Sequence, residues 1–268
     1  MDVRNCEGIE FLETLEDGSV DLVLTDPPYI TSRDTGMNTL WDHVHNGDAG
    51  DAKTSEEWQT YREGRELKDD PKWRENYIKY GNIYGKKYAV KTQYGDWDAN
   101  FTMDDLDQFV QKFHKKLKDG GTVIIWFDIW KITPLKEMLE RHRFKQIRYI
   151  EWIKTNPQPL NSKTNYLTNC REMALVATKK SKPTFNSKYD NGIYHFPLQG
   201  GKERFHPTQK STLLFEELIR KHSNEGDVVV DPFLGSGTTL RACRKTNRIC
   251  KGSEVSSEYY ARMMEGCN

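Results

Sequence analysis

The chain has 268 residues, 36% of them hydrophobic and 30% charged, which allows one large buried core and excludes wholesale disorder. Its 40 basic and 40 acidic residues cancel, so whole-chain charge points to no polyanionic partner. No apolar run approaches the roughly 20 residues that cross a bilayer, the opening MDVRNCEG lacks the order of a secretory leader, and five scattered cysteines argue for reduced thiols rather than a disulfide frame or zinc site; a cytoplasmic protein away from membranes is expected.

The first apolar run, Val20 to Thr25, reads as a buried strand. It ends directly in Asp26-Pro27-Pro28-Tyr29. Two prolines make a stiff turn, able to hold a carboxylate, a main-chain carbonyl and an aromatic ring around one planar substrate. An exocyclic amine is a poor nucleophile because its lone pair is delocalised into its ring. Two acceptors, Asp26 and the Pro27 carbonyl, draw its hydrogens out of plane, while Tyr29 stacks on the ring and excludes water. The nitrogen can then attack a sulfonium methyl in line, with no covalent enzyme intermediate. A Pro-rich turn with an N-capping aspartate is the purely structural alternative.

From residue 31 to about 94 the rhythm breaks, with few aliphatics, many charges and a high density of Trp and Tyr, including Trp41, Trp58, Trp73, Tyr77, Tyr80, Tyr84 and Tyr88. This reads as an insertion used for dimer or domain packing or for DNA contact. His43 and His45, flanked by Asp42 and Asp48, lack a matched third ligand, and no metal is expected.

A helix is predicted over Met103 to Leu117, a strand over Thr122 to Phe127, with Ile124 to Trp130 taken as core, then a helix over Pro134 to His142 and a strand over Arg148 to Ile153. Between Arg141 and Lys210 there are 14 Lys and Arg against 4 Asp and Glu, which suits a phosphate-tracking face on an otherwise acidic body. Candidate DNA contacts are Lys154, Asn156, Lys163, Arg171, Lys179 and Lys180, and residues 156–204 are the candidate target-recognition region. A strand follows over Met173 to Thr178, and a helix over Thr208 to His222.

The strand Val228 to Asp231 runs into Pro232-Phe233-Leu234-Gly235-Ser236-Gly237-Thr238, a glycine turn opening the helix Thr238 to Lys245. Glycines let main chain approach a ligand closely. No GKS or GKT follows and GxGxxG is incomplete, so phosphate binding is disfavoured. The next strand, Ile249 to Glu254, ends in a carboxylate where ribose hydroxyls are usually held. Asp231, Gly235, Gly237 and Glu254 thus describe an adenosyl pocket without a pyrophosphate clamp. A last helix spans Ser256 to Met264. Cys243 and Cys250 read as small packed residues. Alternation of strands with helices implies an α/β, Rossmann-like, doubly wound, mostly parallel sheet, built as one catalytic domain over 1–268 with the 31–94 insertion.

These motifs resemble those of the DNA amino-methyltransferases, specifically the beta arrangement in which the catalytic motif precedes the cofactor motif. Asp26 to Tyr29 match the family's DPPY, and Leu117 to Thr122 resembles the helix-to-strand step after it. Trp152 to Pro159, with Cys170 to Leu175, is similar to the segment lining the target-base pocket. Phe205 to Lys210 is similar to the family's HPTQKP, with Ser211 in place of its last proline. The resemblance implies a class I methyltransferase fold, S-adenosyl-L-methionine as cofactor and S-adenosyl-L-homocysteine as product. It implies cofactor contacts from Asp231, Pro232, Phe233, Gly235, Ser236, Gly237, Thr238, Glu254, His206, Thr208 and Lys210, and catalysis by Asp26, Pro27, Pro28 and Tyr29. Asp at the first motif position favours adenine N6 over cytosine N4. Double-stranded DNA with a flipped base is the implied substrate; a homodimer and a companion restriction endonuclease are the other implied partners. Competing readings are a catalytically silent DNA-binding subunit of the same fold, disfavoured by two intact motifs, and an RNA or protein amide acceptor, the latter usually marked by Asn at the first motif position.

Overall fold

The computed structural model describes residues 1–29, 53–64, 67–80, 83, 101–157, 170–180, 182–200 and 209–266. The chain folds as two compact units, one from residues 1–30 with 100–268 and one from 31–99. In the first, eight strands form one sheet: β1 (Asp2–Arg4), β2 (Val20–Thr25), β3 (Leu117–Phe127), β4 (Phe144–Lys154), β5 (Arg171–Lys179), β6 (Ile193–Phe196), β7 (Val228–Asp231) and β8 (Ile249–Ser253), in the order β1-β8-β7-β2-β3-β5-β4-β6. Every pairing is parallel except the two made by β5, which runs against β3 and β4.

Side chains alternate across this sheet with the period of two that a pleated strand imposes. Leu22, Leu24, Ile124, Trp126 and Val229 face one layer, with Phe215, Leu218, Ile219, Leu240 and Met263. Those residues come from α6 (Thr212–His222), α7 (Thr238–Lys245) and α8 (Ser257–Glu265). Val23, Val123, Ile125, Phe127 and Val230 face the other, against α1 (Gly8–Glu13), α4 (Met103–Lys116) and α5 (Ile132–Arg141). The amphipathic spacing of α4 buries Leu106, Phe109, Val110 and Phe113, and Thr102 with Asp105 closes its first turn as a capping box. Covered on both faces, the strands could be continuous apolar runs, and that is how the sequence shows them.

Two expectations change here. The run through Trp130 is not all strand: β3 stops at Phe127, and the Asp128 carboxylate accepts the Trp130 N–H at 3.0 Å. That bond starts a 3₁₀ turn over Ile129–Lys131, leaving Trp130 85% exposed. The helix expected from Thr208 begins instead at Thr212, behind an extended Ser211.

In the second unit, α2 (Ser55–Glu63) and α3 (Pro71–Tyr80) bring Trp58, Tyr61 and Tyr77 together, with ring centroids 4.4 to 6.2 Å apart. Trp58 is buried and donates its indole N–H to Asp69 at 3.2 Å. Part of the aromatic density of this stretch therefore serves its own core. Trp41, Tyr84, Tyr88, His43 and His45 lie outside the described residues. No described helix is long and apolar enough to cross a membrane, and no group of three metal-ligating side chains is found among the described residues.

Candidate active site

The chain proceeds outward from β2 to β3 in one direction and from β7 through β8 in the other, so the strand order reverses between β2 and β7. Loops leaving the carboxyl ends of two such strands diverge and open a crevice, the usual ligand site of a doubly wound sheet. Both sequence motifs leave from those two strand ends. Thr25, last in β2, and Asp231, last in β7, are joined directly by a 2.8 Å hydrogen bond from Thr25 Oγ1 to Asp231 Oδ1.

On the β7 side, the Asp231 carboxylate is 2% exposed. It accepts from Thr25, from Thr239 Oγ1 at 2.5 Å and from the Phe233 N–H at 3.0 Å. Burial pushes it up to about 6, against the pull of Thr239, Thr25 and the Phe233 amide. The side chain therefore shapes its own turn, leaving the turn's main chain to face a ligand. Gly235 (φ +51°) supports this: a Cβ there would meet nothing closer than the Phe233 carbonyl at 4.0 Å. The turn therefore presents a bare main-chain face at Gly235. Gly237 (φ +79°) serves packing instead, since a Cβ would come 2.5 Å from Met263 Cγ.

Glu254 follows β8 and is 6% exposed. Its Oε2 accepts the Gly235 N–H at 2.7 Å and its Oε1 the Ser256 N–H at 2.8 Å. It braces the glycine turn from the end of β8. Phe233 packs on Phe109 with ring centroids 4.6 Å apart. Pro232 takes a bond from Ser253 Oγ on its carbonyl at 3.2 Å. Ser236 and Thr238 share a hydroxyl contact of 3.2 Å at the start of α7. These residues fit an adenosyl ligand.

On the β2 side, Pro27 is buried and Pro28 and Tyr29 are half-buried. The Tyr29 ring meets Phe127 edge-on at 5.9 Å. Asp26 Oδ2 is 2.6 Å from Lys210 Nζ, whereas Asp26 Oδ1 is buried and accepts no hydrogen bond from the described residues. Burial pushes the Asp26 carboxyl up to about 6; the Lys210 ammonium opposes this and the Glu172 charge adds to it. Lys210 Nζ is also 2.8 Å from Glu172 Oε2, and Lys154 Nζ is 2.7 Å from Glu172 Oε1. Burial works to raise Glu172, but Lys210 and Lys154 together hold it below its ordinary value.

Several sequence expectations move accordingly. Lys210, expected on the cofactor, has its ammonium on the Asp26 turn. Lys154, expected on DNA, is 11% exposed and paired with Glu172. Asn156 accepts the Leu198 N–H at 2.7 Å on its side-chain oxygen, a loop-holding role. Arg171 is exposed at the start of β5, on the edge where the parallel strands end. Lys179 and Lys180 are not on that edge: they close the far end of β5, about 25 Å along the strand. There Lys179 donates to the Leu117 carbonyl at 2.7 Å and Lys180 pairs with Asp119 at 2.9 Å. Lys163, His206 and Thr208 lie outside the described residues.

Glu172 lies in the Cys170 to Leu175 segment that the resemblance placed at the target-base pocket, but it was not singled out there. Because β5 alone runs backwards, its first residues arrive where the parallel strands end, and only that reversal puts Glu172 beside Asp26. An acid directly before an apolar strand, Glu172 before Met173 to Thr178, was the available signal.

A family model described as DNA methylase matches residues 20–265, spanning both motifs. The chain belongs to the DNA methylase family. Among curated relatives of this methylase, the Type II methyltransferase M2.DpnII of Streptococcus pneumoniae is 32% identical over 192 residues, 64% of this chain and 70% of that one. The Type II methyltransferase M2.MboI of Moraxella bovis is 29% identical over 273 residues, 95% of this chain and 82% of its own. Among solved structures, the M1.HpyAVI-SAM complex superposes with a TM-score of 0.63 at 23% identity, covering 100% of this chain and 98% of that one. The PvuII cytosine-N4-specific DNA methyltransferase gives 0.65 at 17% identity, covering 98% and 84%. These two establish the methylase's α/β fold.

Proposed function

We propose that this DNA methylase moves the methyl group of S-adenosyl-L-methionine to N6 of an adenine flipped out of duplex DNA. The observation that carries the reading is Asp26 Oδ1, a buried acceptor without a donor among the described residues, at the strand-end crevice beside Tyr29. A buried unsatisfied carboxylate oxygen costs about 1–3 kcal/mol, and an incoming amine N–H removes that cost. The Pro27 carbonyl takes the second N–H, turning the nitrogen lone pair out of the ring plane, and Tyr29 stacks on the base and keeps water out. Stacking offsets the few kcal/mol, roughly, of unpairing and unstacking.

The Gly235 main chain, Phe233 and Glu254 would hold the cofactor, which when bound would supply an electrophilic methyl on a sulfonium, with S-adenosyl-L-homocysteine as the product. The amine loses one proton as the new bond forms; Asp26, at about 6, can take it and pass it to water. Adenine is favoured because Asp stands first in the motif. The relatives are named Type II methyltransferases, which supports a companion endonuclease reading the same DNA sequence.

Incubating the purified chain with S-adenosyl-L-methionine and mixed-sequence duplex DNA, then digesting to nucleosides for mass analysis, tests this. N6-methyladenine is expected. N4-methylcytosine would keep the geometry and overturn the base; no methylated nucleoside would overturn the reading. Asp26→Ala should slow transfer roughly 100- to 1,000-fold while cofactor affinity, measured by calorimetry, stays within about a factor of three of wild type.

A further inference from the structure

An acceptor for the substrate amine does not by itself need a lysine. Lys210 is 5% exposed, and its ammonium lies 2.6 Å from Asp26 Oδ2, 2.8 Å from Glu172 Oε2 and 3.4 Å from the Tyr29 hydroxyl. Lysine carries three N–H donors, and three acceptors surround it. Its partner Glu172 is fixed from the other side by Lys154, the last residue of β4. Its main-chain carbonyl faces Thr238 Oγ1 at 3.5 Å, at the first residue of α7 on the cofactor side. The extended chain before α6 is what lets position 210 reach both.

We infer that Lys210 is a positioning residue for methyl transfer, anchored by Glu172, which occupies one oxygen of Asp26 so that the other is presented to the substrate amine, and which locks the stacking Tyr29 to the same frame. This rests on the reading of Asp26 as the amine acceptor. The frame contains two carboxylates, Asp26 and Glu172, two ammonium groups, Lys154 and Lys210, and the neutral Tyr29 phenol, whose own titration burial pushes well up. Among the described residues, Asp231, last in β7, is a further charge that senses Asp26. Four paired charges balance, which is how they can remain buried.

The two anchors act on Asp26 in opposite directions. Lys210 favours its ionised form and Glu172 disfavours it. Removing the lysine charge should therefore move the acid limb of the activity profile upward, and removing the glutamate charge should move it downward. A side chain that merely filled space would do neither.

The experiment is single-turnover methylation of duplex DNA from pH 5 to 9 by the full chain, with Lys210→Met, Lys210→Arg and Glu172→Gln beside wild type. Wild type should lose rate below about 6. Lys210→Met should lose roughly 100-fold at pH 7 through misplacement of the acceptor, with its limb displaced upward by about one unit or more and binding of S-adenosyl-L-methionine retained. Lys210→Arg keeps the charge with a wider, planar head and should keep the limb at reduced rate. Glu172→Gln, which retains volume and one accepting oxygen for the two lysines, should displace the limb downward; it decides the matter if Lys210→Met fails to fold. An active wild type whose limb is unmoved in Lys210→Met, or moved upward in Glu172→Gln, overturns the positioning role alone. A wild type that methylates no base at any pH overturns the functional reading and this inference with it.

Discussion

Asp231 closes three hydrogen bonds around a carboxylate that burial has pushed up to about 6, so its neighbours matter most when it is charged. Thr239→Val keeps the shape of the side chain and deletes the 2.5 Å donor, leaving Oδ2 without a partner. Stability should fall by about 1–3 kcal/mol in urea unfolding at pH 8. At pH 5 the loss should be smaller, because a neutral carboxyl tolerates the vacancy better; equal losses at both pH values would disprove the account. At this scale the sequence showed the chemistry that lies along one strand exit: Asp26 to Tyr29 and Asp231 to Thr238 were legible because each motif is contiguous. What it hid depends on groups far apart in the chain. Lys210 and Asp26 are brought together by the switch point and by the extended lead into α6, and the basic count over 141–210 could not separate Arg171, on the edge where the parallel strands end, from Lys179 and Lys180 at the opposite one.

The glycine turn, α7 and α8 form one packed element group in which Gly237 carries two constraints. It caps α7 in the left-handed region at φ +79°, and its missing Cβ is the space that Met263 of α8 fills. Gly237→Ala should therefore lose about 1–2 kcal/mol from the backbone and a further 1–3 kcal/mol or so from overpacking. Met263→Ala in the same chain should recover the second part only, giving a favourable coupling in a double-mutant cycle read by thermal unfolding. Simple additivity of the two losses would refute the contact. The contiguous apolar stretches of β2 and β7, the amphipathic repeat of α4 and the glycine start of α7 were readable to within a residue. The edge strands β1 and β6, three and four residues long, were not, because Asp2-Val3-Arg4 and Ile193-Tyr194-His195-Phe196 carry too little apolar pattern to stand out. β3, β4 and β5 outrun their apolar cores because ladder pairing continues after burial ends, as the exposed Lys145 of β4 against Thr178 shows.

For the whole molecule, the crevice at the ends of β2 and β7 stores an electrostatic cost that folding must carry. Asp26 and Asp231 both titrate near 6 rather than at the ordinary aspartate value. A carboxyl raised on folding binds its proton more tightly in the native state, so its stabilising contribution is complete below about 4 and is lost as pH rises through about 6. Carboxylates held low by cations, Glu172 and Asp190 among them, act in the opposite sense and lose their contribution on acidification. Asp26→Asn removes one raised group without removing volume. Lys210 keeps its contact with Glu172, which it then shares with Lys154, and the substituted amide still offers its carbonyl to the ammonium. The variant should therefore melt about 2–4 °C above wild type at pH 8, corresponding to about 1 kcal/mol. That advantage should fade as pH drops and vanish well below about 4, where wild-type Asp26 is protonated in both states. Methyl transfer should be lost throughout, because an amide presents a weaker acceptor to the substrate amine and cannot take its proton. A variant that melts below wild type at pH 8 would mean that the Lys210 pair outweighs the burial of Asp26, and that the crevice is held together by its charges instead of despite them.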